Sequence, residues 1–400
     1  KIGMVIYMSV SSKIQESIEK SSWIRKMFEE GARLKAEFGA DNVYDFSLGN
    51  PDIDPPSEFF QALKKMAEIN KPGVHGYMPN PGFPDVRNSI AQKVGKEHKL
   101  NIDGNSLVMT CGAAGGMNII LKTILDPGDE VIVIKPYFAE YGFYISNHQG
   151  IMVEAESNPD FSINLEAIEK IITSKTKGII INSPNNPTGR IYTEKEIEGL
   201  SELLTRKSRE NKTIYLISDE PYREIIYDKK TVSPVLSKYI NAIVVNSYSK
   251  SLSLPGERIG YVAVNPQTEN YELIMAGLTL SNRILGFVNA PALMQRIVAQ
   301  LNDAAVDIDI YKKRRDIFMT GLKSAGYTFP EPEGAFYLFC KSPGKDDVSF
   351  VKHLQKYNIL VVPGTGFGGP GYFRIAYCVS ENIIERAMPK FKEAIDTYKP

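Results

Sequence analysis

The stretch GIIINSPNNPTG, residues 178–189, begins as an apolar run and passes at once into a polar turn. Similar apolar runs recur along the chain between helical stretches. They are YDFSLG at 44–49, SLVMT at 106–110, EVIVI at 130–134, GIIIN at 178–182, TIYLIS at 213–218, AIVVNS at 242–247 and IGYVAV at 259–264. Short apolar strands that alternate with helices are typical of a parallel sheet covered on both faces. The chain is therefore predicted to hold an α/β domain.

The pattern changes at about residue 290. Residues 290–322 read as one long helical stretch, and a C-terminal amphipathic helix ends the chain. Between them lie the runs YLFC at 337–340, ILVVPG at 359–364 and YFRIAYC at 372–378. This part predicts a second, smaller α/β domain. Apolar residues at helical spacing also predict a lead-in helix over residues 13–38, ended by Gly39.

The composition excludes several classes of protein. The chain has 400 residues, enough for two or three domains, and its 47 basic residues balance its 47 acidic ones, so no nucleic-acid partner is expected. The cysteines show no CxxC spacing and the histidines no HExxH motif, so neither a disulfide framework nor a metal site is predicted. No apolar run approaches the roughly 18 residues that span a bilayer. We predict a cytoplasmic protein without a membrane partner.

The first seven residues, KIGMVIY, could suggest the apolar part of a secretory signal. They are too short for one and carry a single preceding lysine. We expect them to be a leader or a cloning remnant ahead of a start near Met8.

Chemically useful side chains follow five of the apolar runs, at the point where each strand ends. The segments are CGAAGG at 111–116, KPYF at 135–138, SPNNPTG at 183–189, DEPY at 219–222 and YSK at 248–250. Ligands of open parallel sheets bind outside the carboxyl ends of the strands. One such strand end means little, but five in series predict a site.

Two of these segments suit an anionic ligand. The small-residue turn at 111–116 leads into a helix whose free N–H groups could hold a phosphate, although close packing explains such a turn equally well. Lys250 lies three residues after Ser247 and eight before Arg258, two further groups able to bind phosphate oxygens. A lone lysine is most often a surface cation, whereas a lysine desolvated in a pocket becomes nucleophilic toward an aldehyde.

Three polar positions in apolar surroundings need partners. Asp219 ends a strand, where it could cap a following helix or face a protonated heterocyclic nitrogen. Arg374 lies within the apolar run YFRIAYC and needs a carboxylate, either from the protein or from a substrate. Asn185 and Asn186 form a good turn before Pro187, and only their place at a strand end suggests ligand contact.

Four motifs in order now identify a family resemblance. They are NSPNNPTG at 182–189, SDEPY at 218–222, SYSKSLSLPGERIG at 247–260 and FRIAY at 373–377. Together they resemble the class I and II aminotransferases, enzymes of fold type I that depend on pyridoxal 5'-phosphate, over roughly residues 20–395. The resemblance implies an α/β fold with a mostly parallel seven-stranded sheet. It places an N-terminal segment at 1–48, which packs with the small domain, a large cofactor-binding domain at 49–290 and a small domain at 291–400.

The resemblance assigns roles around the cofactor ring. Lys250 would form the Schiff base with the cofactor and then move the substrate α-proton as general base and acid. Asp219 would pair with the pyridinium nitrogen, which keeps the ring a strong electron sink. Asn186 and Tyr222 resemble the family's partners of the ring 3-hydroxyl oxygen, and Phe138 resembles the aromatic residue stacked on the ring.

The resemblance also assigns the phosphate end. The backbone N–H groups of Ala113 and Ala114, together with Ser247 and Arg258, would hold the phosphate. Tyr77, within GYMPNPGFPDVR at 76–87, matches a family tyrosine that reaches the phosphate of the neighbouring subunit. A functional homodimer is therefore implied.

At the substrate end, Gly49, Asn186 and Arg374 match the residues that bind the amino-acid substrate, with the arginine as a bidentate fork on the α-carboxylate. The implied reaction is ping-pong transfer of an amino group between an L-amino acid and a 2-oxo acid. Every amino acid carries an α-carboxylate, so these residues do not set specificity.

Substrate specificity is less sharply encoded. Aspartate aminotransferases of the animal and enteric type read the distal carboxylate with an arginine of the partner subunit, and the stretch at 279–291 lies in that region. Arg283 is close to the expected position, but our alignment places Ile284 there. Some bacterial relatives use a lysine where this chain has Ala114, and residues 22–25 are another candidate wall. We predict aspartate and glutamate with 2-oxoglutarate, with aromatic, methionine or alanine preference as alternatives.

Two other functions share parts of the pattern. A β-eliminating carbon–sulfur lyase has the same core motifs but releases pyruvate and ammonia without an acceptor oxo acid. The aminotransferase-like effector module of a transcription regulator would need a DNA-binding domain ahead of it. Only about forty residues with one predicted helix precede Tyr44, which argues against that reading.

Overall fold

A computed structural model of the chain describes residues 10–19, 23–210 and 212–399, so the predicted leader lies outside the described residues. The helices are α1 Ser12–Glu19, α2 Trp23–Phe38, α3 Ser57–Ala67, α4 Pro84–His98, α5 Gly112–Ile124, α6 Tyr141–Asn147, α7 Leu165–Ile171, α8 Glu194–Glu210, α9 Val235–Lys238, α10 Tyr248–Ser251, α11 Tyr271–Ile284, α12 Ala292–Val298, α13 Ile308–Ala325, α14 Asp347–Gln355 and α15 Glu381–Thr397. The strands are β1 Tyr44–Asp45, β2 Leu107–Thr110, β3 Glu130–Ile134, β4 Ile151–Ala155, β5 Thr176–Asn182, β6 Tyr215–Asp219, β7 Ala242–Ser247, β8 Gly260–Val264, β9 Tyr337–Lys341, β10 Ile359–Leu360, β11 Val362–Pro363 and β12 Tyr372–Ala376.

The large sheet has seven strands in the order β2-β8-β7-β6-β5-β3-β4, and only β8 runs antiparallel to its neighbours. The predicted α/β fold with a mostly parallel seven-stranded sheet is confirmed. Two of the strands differ from the prediction. The run at 44–49, predicted as a strand of this sheet, contributes only β1, which pairs with β10 outside it. The seventh strand is β4, an edge strand whose residues are mostly exposed or half-buried. It was missed because an edge strand does not need a continuous apolar run.

Helices cover both faces of this sheet. Along β5, Ile179 and Ile181 pack into one hydrophobic cluster with α4 and α8, whereas Ile180 packs into another with α5 and α11. Successive side chains of a strand point to opposite faces, so a strand covered on both sides is apolar throughout. This explains why the central strands read as unbroken apolar runs. It also leaves their carboxyl ends as the accessible edge.

The C-terminal part of the chain forms its own sheet and core. Strands β11, β12 and β9 pair antiparallel, and α13, α14 and α15 pack with them in a third cluster. The helix predicted over 290–322 is wrong, because α12 ends at Val298 and α13 starts at Ile308, where Asp307 caps it through a hydrogen bond to the amide of Asp309. The lead-in segment forms α1 and α2, with residues 20–22 between them undescribed. The domain boundaries at 48 and 290 stay a prediction.

Candidate functional site

A cavity of about 340 Å³ opens at the carboxyl edge of the large sheet. Three neighbouring strands end there, since β5 ends at Asn182, β6 at Asp219 and β7 at Ser247. The residues that line it are Gly49, Ala113, Ala114, Met117, Phe138, Tyr141, Tyr144, Asn182, Asn186, Asp219, Pro221, Tyr222, Ser247, Ser249, Lys250, Pro255, Arg258, Tyr337 and Arg374. All residues that the resemblance assigned to the cofactor or to the substrate α-carboxylate are among them except Tyr77, which is 93% exposed, and the turn candidate Asn185 is not among them.

Lys250 lies on the short helix α10, directly after β7. Its Nζ donates a hydrogen bond to the carbonyl of Gly49 at 2.7 Å, and the side chain lines the cavity. Burial lowers the pKa of Lys250 to about 8, and the nearby charges of Arg374 and Arg258 act in the same direction. Lys250 is therefore not an ordinary surface cation, and a sizeable fraction of its amine is uncharged in mildly alkaline solution.

Asp219 is buried at the end of β6. Its Oδ2 accepts a hydrogen bond from the Tyr141 hydroxyl at 2.6 Å, while its Oδ1 is buried without a hydrogen-bond partner. Burial raises the pKa of Asp219 to about 7, although the Tyr141 hydrogen bond opposes this rise. The helix-cap alternative is wrong, because the chain after Asp219 forms a turn and the next helix is α9.

Arg374 is 2% exposed and makes no ion pair with any described carboxylate. Its Nη1 donates to Asn186 Oδ1 at 3.0 Å, its Nη2 to the carbonyl of Ser47 at 2.6 Å, and its Nε has no partner. The guanidinium also lies over the ring of Tyr337, 4.6 Å from the centroid. The prediction that a protein carboxylate pairs with Arg374 is therefore wrong, and the prediction that a substrate carboxylate does so stays a prediction.

Asn186 is held in one orientation by the residues around it. Its side-chain oxygen accepts from Arg374, and its backbone N–H donates to Asn182 Oδ1 at 2.7 Å. Asn182 in turn donates to the backbone carbonyl of Asp219 at 2.8 Å. Because the amide oxygen of Asn186 is occupied, its Nδ2 is the atom left to donate into the cavity.

The N-terminal turn of α5 and the residues next to it are suited to bind an anion. Ala113 and Ala114 lie in the first turn of α5, whose N-terminus has no side-chain cap. Gly112 has a φ of 71°, and a Cβ there would lie 3.1 Å from Arg258 Nη2, so the arginine closes directly over this turn. With Ser247 beside them, unpaired N–H groups and a guanidinium face the same space.

Sequence reasoning missed three lining tyrosines, Tyr141, Tyr144 and Tyr337, and the first and last of these make contacts that shape the walls. Tyr141 begins α6 three residues after Phe138, and their rings pack edge to face at 5.5 Å between centroids. The Tyr337 hydroxyl lies 2.8 Å from that of Tyr222, and a Cβ at position 49 would lie only 1.9 Å from it, which explains Gly49. The spacing of Tyr141 after Phe138 was a usable signal, whereas nothing in the run YLFC pointed to Tyr337.

The candidate specificity residues do not meet in this cavity. Arg283 lines a separate groove of this chain, together with Asn80 and Tyr271, and Ile284 is exposed. Ala114 lines the cavity and brings no charge to it. The side chains of residues 22–25 are outside the described part of the structure.

The lining fits the cofactor that the resemblance implies, pyridoxal 5'-phosphate. The unpartnered Oδ1 of Asp219 suits a protonated ring nitrogen, because a buried carboxylate oxygen without a donor is costly. The uncapped turn of α5 with Arg258 suits the phosphate, and the amine of Lys250 lines the same cavity. One ring-shaped anion with a basic nitrogen would satisfy all three.

The described residues contain neither a cluster of metal ligands nor a membrane-spanning helix. No group of three or more histidine, cysteine, aspartate or glutamate side chains there could hold a metal ion. No described helix combines the length and the apolar character needed to cross a membrane.

Comparison with known proteins gives consistent results. Residues 41–391 match the family model for aminotransferases of class I and II. A probable aspartate aminotransferase of Methanocaldococcus jannaschii is 33% identical over 94% of this chain and 98% of its own length. An aspartate/prephenate aminotransferase of Thermus thermophilus is 32% identical over 87% of this chain and 90% of its own length. The crystal structure of an aminotransferase from Eubacterium rectale superposes with a TM-score of 0.95 at 39% identity, covering 98% of this chain and all of that one.

The buried carboxyl of Asp219 predicts a pH-dependent loss of stability in the cofactor-free protein. Its pKa of about 7 lies above the ordinary value of 3.8, so between these pH values the folded state holds a proton that the unfolded state has released. Stability is therefore lost as the pH rises through this range. Asp219→Asn removes this loss, and its stability relative to wild type should increase by up to about 1.4 kcal/mol per pH unit.

Urea denaturation of both proteins across this pH range measures the difference. Below about pH 4 the carboxyl is protonated in both states, and above about pH 7 it is ionised in both, so the difference should level off at each end. A difference that stays constant throughout would mean that Asp219 titrates normally in the folded chain.

Proposed function

The chain belongs to the class I and II aminotransferases, and on that basis we propose which of its residues carry the activity and which substrates it takes. It is a pyridoxal-phosphate-dependent enzyme that moves an amino group between an L-amino acid and a 2-oxo acid. The observation that carries the proposal is the convergence of one amine, one buried acid and one buried guanidinium, those of Lys250, Asp219 and Arg374, on one cavity.

One group of lining residues is proposed to hold the cofactor and another the substrate. Ala113, Ala114, Ser247 and Arg258 would bind the cofactor phosphate, because they offer N–H, hydroxyl and guanidinium donors to one space. Phe138 would stack on the ring. Bound pyridoxal phosphate supplies an electron sink for the bond that must break at the substrate α-carbon.

The protein's own groups would position and move the proton. Lys250 Nζ is the only amine among the lining side chains and is partly uncharged near neutral pH, so it can accept the α-proton and return it. Asp219 Oδ1 would hold the ring nitrogen in its protonated form. Asn186 Nδ2 would donate to the ring oxygen because Asn186 Oδ1 is engaged by Arg374, and the Tyr222 hydroxyl would donate to it while accepting from the Tyr337 hydroxyl.

The substrate α-carboxylate would bind at Arg374, close to Gly49. Each Nη of the guanidinium carries two hydrogens and the protein uses only one hydrogen bond at each, so the fork can still grip a carboxylate. Ser47 and Asn186 would hold the guanidinium in place while it does so. Tyr337, stacked against the same guanidinium, would form the wall on that side.

We propose aspartate and glutamate, with 2-oxoglutarate, as the substrates. The names of the relatives from Methanocaldococcus and Thermus support this choice. The cationic lining residues are Lys250, Arg258 and Arg374, and each already has a proposed role. A distal carboxylate would therefore have to be read from outside this cavity lining, for which Arg283 of a second copy is the candidate.

A homodimer is proposed on the same grounds. Tyr77 is 93% exposed and lies outside the cavity of its own chain, as expected of a residue that serves a neighbouring one. Exposed apolar side chains at Leu273, Leu280 and Ile284 lie along one side of α11. Sedimentation equilibrium should give twice the chain mass of 44.6 kDa, and a monomer that remains fully active would contradict the proposal. A cytoplasmic location stays a prediction.

The pKa of Lys250 makes cofactor capture pH-dependent. Only the uncharged amine attacks an aldehyde, so the rate at which cofactor-free protein captures pyridoxal phosphate should rise through about pH 8. Capture is followed by the visible absorption band and fixed by borohydride. Lys250→Ala should show no such band, and a variant that develops the wild-type band would remove Lys250 from its proposed role.

A half-reaction panel tests the substrate proposal. Aspartate, glutamate, alanine, phenylalanine and methionine are added singly, and conversion of the cofactor to its amine form is followed by absorbance. Arg374→Ala should lower kcat/KM for every amino acid, on the order of a hundredfold, because a buried charge contact is lost. Arg283→Ala should affect only the two dicarboxylic substrates.

Retention of the cofactor band shows that each variant is folded. Equal losses for aspartate and alanine in Arg283→Ala would exclude Arg283 as the specificity residue. Pyruvate and ammonia formed without an oxo acid would favour the carbon–sulfur lyase instead.

A further inference from the structure

Tyr141 makes a buried contact with the predicted site residue Asp219, but Tyr141 itself was not predicted from the sequence. Tyr141 is the first residue of α6 and is 2% exposed, and Asp219 ends β6 on the sheet beneath it. The phenol donates to Oδ2 at 2.6 Å, a short hydrogen bond typical of an ionised acceptor. The two residues are 78 positions apart, so only the fold brings them together.

Packing alone does not account for a tyrosine here. The ring fills its place against Phe138 and in the cluster with Ile145, which a phenylalanine would do equally well. A buried hydroxyl carries a desolvation cost that only a partner offsets, and its partner is the carboxylate. The hydroxyl therefore has a function at Asp219 rather than in the core.

The hydrogen bond divides the two carboxylate oxygens. Oδ2 is occupied by Tyr141, and Oδ1 is buried with no partner in a residue that lines the cavity. Rotation of the carboxylate would break the single hydrogen bond that its side chain makes among the described residues. The phenol thus fixes which oxygen is free.

The other charged and titratable groups near Asp219 do not take over this role. Glu220 is its neighbour in the chain, but that carboxylate is paired with Arg223 at 2.8 Å and lies 3.3 Å from His98. Its charge raises the pKa of Asp219, as burial does, and Tyr141 is the contact that lowers it. Tyr144, Tyr222 and Lys250 line the same cavity without a hydrogen bond to Asp219.

We propose that Tyr141 is a positioning residue, whose hydroxyl favours the ionised form of Asp219 and aims the free oxygen Oδ1 at the ring nitrogen of the cofactor. The aim of Oδ1 rests on the proposed role of Asp219, whereas the effect on its ionisation is a property of the cofactor-free chain. The two parts can therefore be tested separately.

The first experiment titrates Asp219 in the cofactor-free protein. The infrared carboxyl bands are recorded against pH, and the spectrum of Asp219→Asn is subtracted to isolate this group. In Tyr141→Phe the midpoint should rise by about one pH unit or more, because a hydrogen bond to the charged form is lost. The matched control is Tyr144→Phe, which removes a phenol from the same helix and cavity and should leave the midpoint at the wild-type value.

The second experiment measures pyridoxal phosphate binding to the same variants by equilibrium dialysis. At about pH 7 the dissociation constant of Tyr141→Phe should rise about tenfold, since more of Asp219 is protonated. The loss should shrink as the pH is raised above the new midpoint. In an Asp219→Ala background, Tyr141→Phe should have no further effect on binding.

The outcomes separate the alternatives. A lower melting temperature in Tyr141→Phe without a shifted midpoint would make the phenol purely structural and overturn the proposal. Equal midpoints for Tyr141→Phe, Tyr144→Phe and wild type would overturn it as well. If the protein bound no pyridoxal phosphate at all, the proposed function would fail, while the infrared titration would still decide whether Tyr141 controls the charge of Asp219.

Discussion

A carboxylate buried at the end of a central strand is the constraint on which the site depends. Asp219 lies on β6, with β5 and β7 on either side and helices over both faces of the sheet, so the carboxylate is largely removed from bulk solvent. One oxygen is satisfied by Tyr141, and the other is not satisfied by any described group. Such an arrangement is costly for an empty protein and favourable once a cationic nitrogen arrives. Part of the free energy of ligand binding would thus come from removing the desolvation cost that this oxygen carries in the folded, ligand-free chain.

Three cationic side chains line the same cavity as this acid. Lys250 follows β7 at the same sheet edge, and the N-terminal turn of α5 lies against Arg258. Arg374 lines the same cavity and pairs with no described carboxylate. Two anion-binding groups together with an acid and an amine in one cavity match a phosphate, a basic ring and a carboxylate. Each group alone would have an ordinary structural explanation, but their convergence on one cavity does not.

The sequence predicted those parts of the site that lie in short contiguous segments after strands, such as Asn186, Asp219 and Lys250. An apolar run followed by a polar turn can be recognised in the sequence because the strand and its site residues are contiguous in the chain. Tyr141 and Tyr337 escaped because each matters through a partner on another element, 78 and 115 residues away. The fold shows the same division. Fully buried strands were recognisable, whereas β4, half-exposed at the sheet edge, and β1, paired with the distant β10, depend on tertiary context.

The residues proposed to bind the substrate come from different segments of the chain than those proposed to bind the cofactor. Arg374 and Tyr337 are diagonal neighbours on β12 and β9, on one face of the antiparallel sheet, while Ser47 and Gly49 come from the segment after β1. The hydrogen bonds of Arg374 to Ser47 and Asn186 tie these segments to the large sheet, so the guanidinium is oriented by three parts of the chain at once. The residues proposed to hold the ring belong to the large sheet and to the segments that follow its strands. Asp219 is not a hydrogen-bond partner of Arg374, whereas Lys250 is tied to the same segment through Gly49 and feels the charge of Arg374, so changes near Arg374 would alter the surroundings of Lys250 rather than those of Asp219.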